Sequence, residues 1–171
     1  MRIVAGKFAG RDLVSPADSR VRPTSEKVRA ALLDLLAPEL PGARVLDLFA
    51  GTGALGLEAI SRGARNADFV EFRPASLHAL KANVAALHLL KRTRIFKRDA
   101  IPFVAALPPD GYEIAFVDPP YESRVLDRVL AMWRTGRFAR ILAVEHALTH
   151  QLPKGNQRQV FPECAVTIYR I

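Results

Sequence analysis

From residue 44 onward, short apolar runs typical of buried strands alternate with longer segments of helical spacing. The predicted strands cover residues 44–49, 67–71, 94–97, 114–117 and 141–145, and two more near 157–161 and 165–170 form a terminal hairpin. The predicted helices cover residues 53–62, 74–89, 101–107 and 122–135. This alternation predicts an α/β fold: a largely parallel, doubly wound sheet of seven strands with helices on both faces.

The segment before residue 44 has a different pattern. Residues 2–14 alternate loosely around Gly10, which predicts a short hairpin. Thr24 or Ser25 is placed to cap a helix that runs to Leu36, where prolines follow. We therefore expect an N-terminal hairpin and helix extension over residues 1–37 and a main domain over residues 38–171.

The chain has 25 Lys and Arg against 17 Asp and Glu, a net charge of +8 that favours polyanionic partners. Basic residues cluster within residues 1–29 and again within 91–98, as a phosphate backbone would require. A solvated basic surface, in a protein from an arginine-rich, GC-rich genome, is the alternative. Charge alone does not decide between nucleic-acid binding and a solvated basic surface.

Composition also excludes several classes of protein. Cys164 is the single cysteine, and the four histidines lack metal-ligand spacing, so we expect no disulfide and no metal. No apolar run is long enough to span a bilayer, and charges interrupt the N-terminus where a signal peptide needs its apolar segment. We expect a cytoplasmic location and no membrane partner.

A glycine-rich loop follows the first strand. Gly51, Gly53 and Gly56 match G-x-G-x-x-G, and Glu71 follows the second strand where a ribose-binding acid is expected. Dinucleotide-binding proteins share this pattern. Asp47 at the strand end would repel a pyrophosphate but suits the cationic amino-acid end of S-adenosylmethionine, directly or through water.

Acidic residues after successive strands extend this prediction. Glu71 would accept both ribose hydroxyls, and Asp99 would lie near the adenine amino group. Each has a simpler alternative: Asp47 caps the loop, Glu71 pairs with a surface arginine, and Asp99 caps a helix. The candidate cofactor-binding residues are Asp47, Phe49, Ala50, Gly51, Thr52, Gly53, Glu71, Phe72, Asp99, Ala100 and Asp118.

The tetrapeptide Asp118-Pro119-Pro120-Tyr121 follows the fourth strand and is the candidate catalytic segment. Its prolines hold the chain extended, so that a carboxylate and a carbonyl can accept the two hydrogens of an exocyclic amine on a base. This contact would aim the nitrogen lone pair at a methyl donor. Tyr121 would stack on the base. A strand-end turn with an exposed aromatic residue is the alternative.

Such an amine is hidden in structured RNA, so the base must be turned out of its stack by an enzyme that also holds the backbone. The candidate RNA-binding residues are Arg2, Lys7, Arg11, Arg20, Arg22 and Thr24.

With these motifs the chain resembles the bacterial 16S rRNA guanine-N2 methyltransferases. The resemblance rests on residues 2–6, Gly10-Arg11, Arg22-Pro23-Thr24, 45–59 and 118–121. It implies a monomeric Rossmann-like methyltransferase that uses S-adenosylmethionine, contacts RNA through its N-terminal extension and modifies guanine 966 of 16S rRNA within the 30S subunit or an assembly intermediate.

The resemblance also implies residue roles. Asp47, Gly51, Glu71, Asp99 and Ala100 would line the cofactor site. By the same comparison, Asp118 and Tyr121 would hold the base. The chain departs from the family pattern at Phe161-Pro162-Glu163, where a glycine-containing turn is usual.

Other functions remain open from sequence. Methylation of adenine N6 or cytosine N4 in DNA uses the same tetrapeptide, but generally needs a sequence-reading domain. Protein glutamine methyltransferases typically have Asn in place of Asp118. A nicotinamide-dependent oxidoreductase would leave the tetrapeptide without a role, and a non-catalytic RNA-binding protein would not need Asp47, Glu71 or Asp118.

Overall fold

The computed structural model describes residues 1–16, 25–121 and 124–171. Its helices are α1 (Glu26–Leu35), α2 (Ala54–Ser61), α3 (Pro74–Ala86), α4 (Ala100–Ala105) and α5 (Val125–Gly136), with a 3₁₀ helix at Leu90–Arg92. Its strands are β1 (Arg44–Asp47), β2 (Asn66–Val70), β3 (Thr93–Phe96), β4 (Tyr112–Val117), β5 (Ala139–Ala147), β6 (Gln157–Val160) and β7 (Cys164–Arg170).

These strands form one sheet of seven in the order β3-β2-β1-β4-β5-β7-β6, which confirms the predicted α/β fold with a doubly wound sheet. β1 to β5 are parallel, and β7 runs antiparallel between β5 and β6. The strand order reverses between β1 and β4. In open α/β sheets the ligand crevice lies at this switch point, beyond the carboxyl ends of the strands.

Two apolar cores lie on the two faces of the sheet. One includes residues of α1, α2, α3 and the N-terminal segment, among them the buried Ile3 and Leu13. The other includes residues of α4 and α5, with Trp133 packed near Tyr169. The N-terminal segment therefore packs on the same core as α2 and α3.

The N-terminal hairpin is shorter than predicted. It has one antiparallel bridge, between Arg2 and Asp12, and the loop between them folds against the end of α2. There Lys7 N–H donates to the carbonyl of Ser61 and Phe8 N–H donates to its hydroxyl. The hairpin therefore forms, with backbone hydrogen bonds from Ile3 to Arg11 and from Leu13 to Met1, and contacts with α2 fix its loop.

Several predicted boundaries also shift. β1 ends at Asp47, where the glycine loop begins, and α3 ends at Ala86 because His88 has a left-handed backbone. Ser25 is the cap of α1, its hydroxyl accepting from Val28 N–H, whereas Thr24 lies outside the described residues. Residues 161–163, where the chain departs from the family pattern, form a tight turn. Phe161 N–H closes it by donating to the Cys164 carbonyl.

Among the described residues, no helix has the length and apolar character that crossing a bilayer requires.

Candidate functional site

The glycine loop connects β1 to α2 and uses its three glycines differently. A Cβ on Gly53 would lie 2.4 Å from Leu80 Cδ1, and one on Gly56 would lie 2.4 Å from Phe69 Cε1. A Cβ on Gly51 would meet nothing within 4 Å. Gly53 and Gly56 are therefore required by packing, whereas Gly51 borders open space at the carboxyl edge of the sheet.

Asp47 lies beneath this loop. Its side chain is only 1% exposed, and Oδ2 accepts the Gly56 N–H at 3.2 Å. Burial is the main cause that raises the pKa of Asp47 to about 7; the Gly56 N–H acts against this shift, and the negative charge of Glu71 adds to it. The structure thus gives Asp47 the loop-capping contact, and a role toward a cationic ligand stays a prediction.

Glu71 is fixed by backbone N–H groups. Its Oε2 accepts from Gly51 at 2.9 Å, and its Oε1 accepts from Phe72 at 2.9 Å and Arg73 at 2.8 Å. These hydrogen bonds hold the carboxylate beside the glycine loop, in place of the surface ion pair considered from sequence. Phe72 follows with its side chain 53% exposed, which offers an aromatic face at the same edge.

Asp99 caps α4, since its Oδ1 accepts from Ile101 N–H at 2.9 Å. The helix-capping alternative is therefore present, although the side chain stays exposed at the end of β3. Ala100 and Ala50 are buried beside it and beside the loop, and Phe49 is half-buried against the core of α4 and α5.

These residues fit S-adenosylmethionine. An open space above Gly51, a carboxylate anchored for hydroxyl groups at Glu71 and an exposed aromatic face at Phe72 lie around one loop. Glu71 and Asp99 would hold the ribose and adenine. Bound there, the cofactor would supply an electrophilic methyl group.

The Asp118–Tyr121 segment leaves the sheet directly after β4. Asp118 and Tyr121 are half-buried, Pro119 is buried and Pro120 is exposed. The Tyr121 hydroxyl donates to Glu145 Oε1 at 2.7 Å, and burial raises the pKa of that hydroxyl, with the Glu145 contact adding to the shift. A stacking role for Tyr121 stays a prediction.

Glu145, near the end of β5, was missed by the sequence analysis because it ends an apolar run that reads as an ordinary buried strand. It lines a pocket together with Pro119, Pro120 and Tyr121. In the parallel register Asp47 pairs with Phe116 and Phe116 pairs with Ala143. Because side chains alternate along strands, Asp47, Asp118 and Glu145 belong to the same face of the sheet.

A buried amide joins the N-terminal segment to the cofactor loop. Asn83 Nδ2 donates to the carbonyls of Val14 and Thr52, each at 3.0 Å, and its Oδ1 accepts from Val14 N–H at 2.7 Å. Thr52 itself contacts Met1, with Oγ1 3.7 Å from the sulfur. The N-terminal segment is thereby seated against the cofactor loop.

Of the predicted RNA-binding residues, Arg2, Lys7 and Arg11 are exposed on this segment. Arg2 pairs with Glu26, and Arg11 donates to the carbonyl of Ala86. The remaining three predictions, Arg20, Arg22 and Thr24, lie outside the described residues.

In the second basic cluster, two arginines have structural partners. Arg92 donates to the carbonyls of Ala64 and Arg65, and Arg94 pairs with Asp68. No group of His, Cys, Asp or Glu that could hold a metal ion occurs within residues 1–16, 25–121 and 124–171.

Residues 1–160 match the model of a protein family described as conserved hypothetical protein 95. The chain belongs to this family. The match to conserved hypothetical protein 95 spans the N-terminal segment, the glycine loop and the Asp118–Tyr121 segment, which confirms the resemblance drawn from those motifs.

A curated relative is ribosomal RNA small subunit methyltransferase D of Escherichia coli (strain K12). It is 38% identical over 130 residues, which cover 76% of this chain and 65% of the relative. Among solved structures, a hypothetical protein of Thermus thermophilus is 30% identical, with a TM-score of 0.85 over 100% of this chain and 99% of its own.

A more distant structure shares the fold alone. An RNA methyltransferase from Salinibacter ruber, solved in complex with S-adenosyl-L-homocysteine, has a TM-score of 0.69 at 12% identity, over 88% of this chain and 94% of its own.

Proposed function

We propose that this protein is an rRNA methyltransferase that transfers a methyl group from S-adenosylmethionine to the exocyclic N2 of a guanine in 16S rRNA, with guanine 966 as the target. One observation carries the proposal: the Asp118–Tyr121 segment and the glycine loop follow β4 and β1, adjacent strands at the switch point of the sheet. The name of the E. coli relative supports the substrate class.

The chemistry required of the protein is orientation and proton acceptance. The lone pair of an exocyclic amine is delocalised into the base, so the nitrogen must be drawn toward tetrahedral geometry before it attacks a methyl carbon. Asp118 and the Pro119 carbonyl would accept its two hydrogens. As the nitrogen gains a methyl group it develops positive charge, and Asp118 stabilises that charge and accepts the proton that leaves.

The N-terminal extension, residues 1–37, would contact the RNA through its exposed cations. The proposed substrate is the 30S subunit or an assembly intermediate, and the proposed enzyme is a cytoplasmic monomer.

The test is methyl transfer from labelled S-adenosylmethionine to purified 30S subunits that lack the modification, beside naked 16S RNA and DNA, followed by nucleoside analysis. N2-methylguanosine in subunit RNA is the expected product. Labelled DNA would favour an adenine-N6 or cytosine-N4 enzyme. If the cofactor binds and no nucleic acid is labelled, the ribosomal substrate is wrong, and protein glutamine becomes the next acceptor to assay.

A further inference from the structure

Glu145 is a buried carboxylate with one oxygen left without a donor. The residue is 5% exposed, and Oε1 accepts the Tyr121 hydroxyl. Oε2 is buried and has no hydrogen-bond partner in the part of the chain that the structure describes. An unsatisfied buried polar atom costs about 1–3 kcal/mol, and more when charged. A ligand that supplies a donor would remove this cost.

The neighbouring groups offer Oε2 no strong donor. Both ring nitrogens of His146 lie within hydrogen-bond distance of other groups: Nδ1 is 3.0 Å from the Ala147 carbonyl and Nε2 is 2.9 Å from Thr167 Oγ1. The Cys164 thiol lies close to Glu145 and is a weak donor. Burial is the main cause that raises the pKa of the Cys164 thiol to about 11, and the charges of Glu145 and Asp118 contribute to the same shift.

Glu145 and Asp118 stand side by side. Val117 pairs with Val144 in parallel register, so the next residue of each strand falls at the same level and on the same face. Glu145 also lines the pocket formed by Pro119, Pro120 and Tyr121. The base that Asp118 would hold therefore lies within reach of a second carboxylate.

Two adjacent carboxylates match one kind of base edge. In guanine the ring N1–H is next to the exocyclic amine, so this part of the edge presents only donors. In adenine and cytosine the ring nitrogen next to the amine is an acceptor, which a carboxylate would repel. Enzymes that turn a base into a pocket read it by hydrogen bonds to this edge.

We propose that Glu145 determines base specificity, accepting the ring N1–H of the target guanine while Asp118 accepts from the exocyclic amine. This inference rests on the proposed function, since it requires guanine as the acceptor. The Tyr121 hydroxyl donates to Oε1, so Oε2 is the oxygen assigned to the base.

The test replaces the target guanine, at the position that the wild-type enzyme modifies, with 2-aminopurine. This analogue keeps the amine on the same ring carbon, but its N1 carries no hydrogen. For wild type we expect kcat/KM to favour guanine by about 10- to 100-fold, the value of one hydrogen bond to a charged group.

Glu145→Gln should lower that preference to within a few-fold, because a carboxamide can donate to the unprotonated N1 of the analogue. Both substrates are assayed on one preparation, so the folded fraction cancels from the ratio. 2-Aminopurine also lacks the 6-oxygen of guanine. This loss affects the preference of wild type and of Glu145→Gln alike, so it cancels when the two preferences are compared. Glu145→Ala is the second variant, and its preference should also fall because the acceptor is gone.

Tyr121→Phe is the matched control, since it removes the hydroxyl bonded to Glu145 and keeps the carboxylate. Its preference for guanine should remain at the wild-type value, whatever its rate. If wild type and Glu145→Gln show equal preference while guanine is methylated normally, the inference is wrong and the proposed function stands. A wild-type enzyme that labels no guanine overturns both.

Discussion

A substitution at Asp118 should separate methyl transfer from cofactor binding. Replacing it with alanine removes the acceptor for the amine, so methyl transfer should fall by about 10²- to 10⁴-fold. The dissociation constant of S-adenosylmethionine, measured by calorimetry, should change by less than about threefold, well under the value of one hydrogen bond. Loss of both properties would instead place Asp118 in the cofactor site.

Asp47 predicts how stability depends on pH. Its pKa rises from 3.8 unfolded to about 7 in the folded protein, so the native state keeps a proton that the unfolded state releases. Without cofactor, the free energy of unfolding should decrease between about pH 4 and pH 7, by a few kcal/mol at most, and then level off.

Urea unfolding across that range measures the effect, with Asp47→Asn as the control. The asparagine oxygen can still accept from Gly56 and does not titrate, so the decrease should disappear. A decrease of equal size in Asp47→Asn would assign it to other groups.

At the scale of elements, a buried ion pair joins α1 to α2. Arg29 Nε lies 2.7 Å from Glu58 Oε2 with both side chains fully buried, and Arg29 also donates to the Arg2 carbonyl. Glu58→Ala leaves the Arg29 guanidinium uncompensated, also breaks the pair of Glu58 with Arg62, and should cost about 3–5 kcal/mol in urea unfolding.

The control is Glu113→Ala, which breaks a pair with Arg44 whose side chains are 31% and 43% exposed. Solvent screens that pair, so the cost should stay near 1 kcal/mol. Equal costs for the two variants would mean that burial does not set the strength of the α1–α2 pair.

Two glycines of the N-terminal segment give a matched comparison. Gly6 and Gly10 have φ of +86° and +83°, but a Cβ on Gly6 would lie 2.1 Å from the Ser61 carbonyl oxygen, and one on Gly10 would meet nothing within 4 Å. Gly6→Ala should detach the segment from α2, raise hydrogen exchange at Lys7 and Phe8, and weaken RNA binding. Gly10→Ala should cost about 1 kcal/mol in backbone strain and keep that protection. Equal hydrogen exchange at Lys7 and Phe8 in the two variants would contradict the proposed role of Gly6 in holding the N-terminal segment against α2.

The elements that sequence predicted well are those set by local pattern. Apolar runs located β1, β2, β4, β5 and β7, because a strand buried between helix layers must be apolar whatever its neighbours are. The N-terminal hairpin forms, but its loop is held by Ser61, far along the chain, a contact that no local pattern could predict. Glu145 was missed for a related reason: its partner Tyr121 is brought to it only by the pairing of β4 with β5.

For the whole molecule, the net charge of +8 predicts salt-dependent RNA binding. Lys7→Ala should lower the slope of log affinity against log salt by about one, if its exposed ammonium displaces one counterion. Arg140→Ala is the control, because Arg140 is exposed near the amino end of β5, at the edge opposite the candidate site. Equal slopes for Lys7→Ala and wild type would remove Lys7 from the RNA contact.

The carboxylates at the strand ends affect which part of a nucleic acid can enter the ligand crevice. Glu71, Asp99, Asp118 and Glu145 give the carboxyl edge of the sheet a negative character inside a protein that is positive overall. The basic surface would attract a polyanion, but these carboxylates would repel its phosphate groups. A nucleobase has no formal charge and offers N–H groups that carboxylates accept, so under the proposed function the crevice would act as an electrostatic filter that admits the base and keeps the backbone outside.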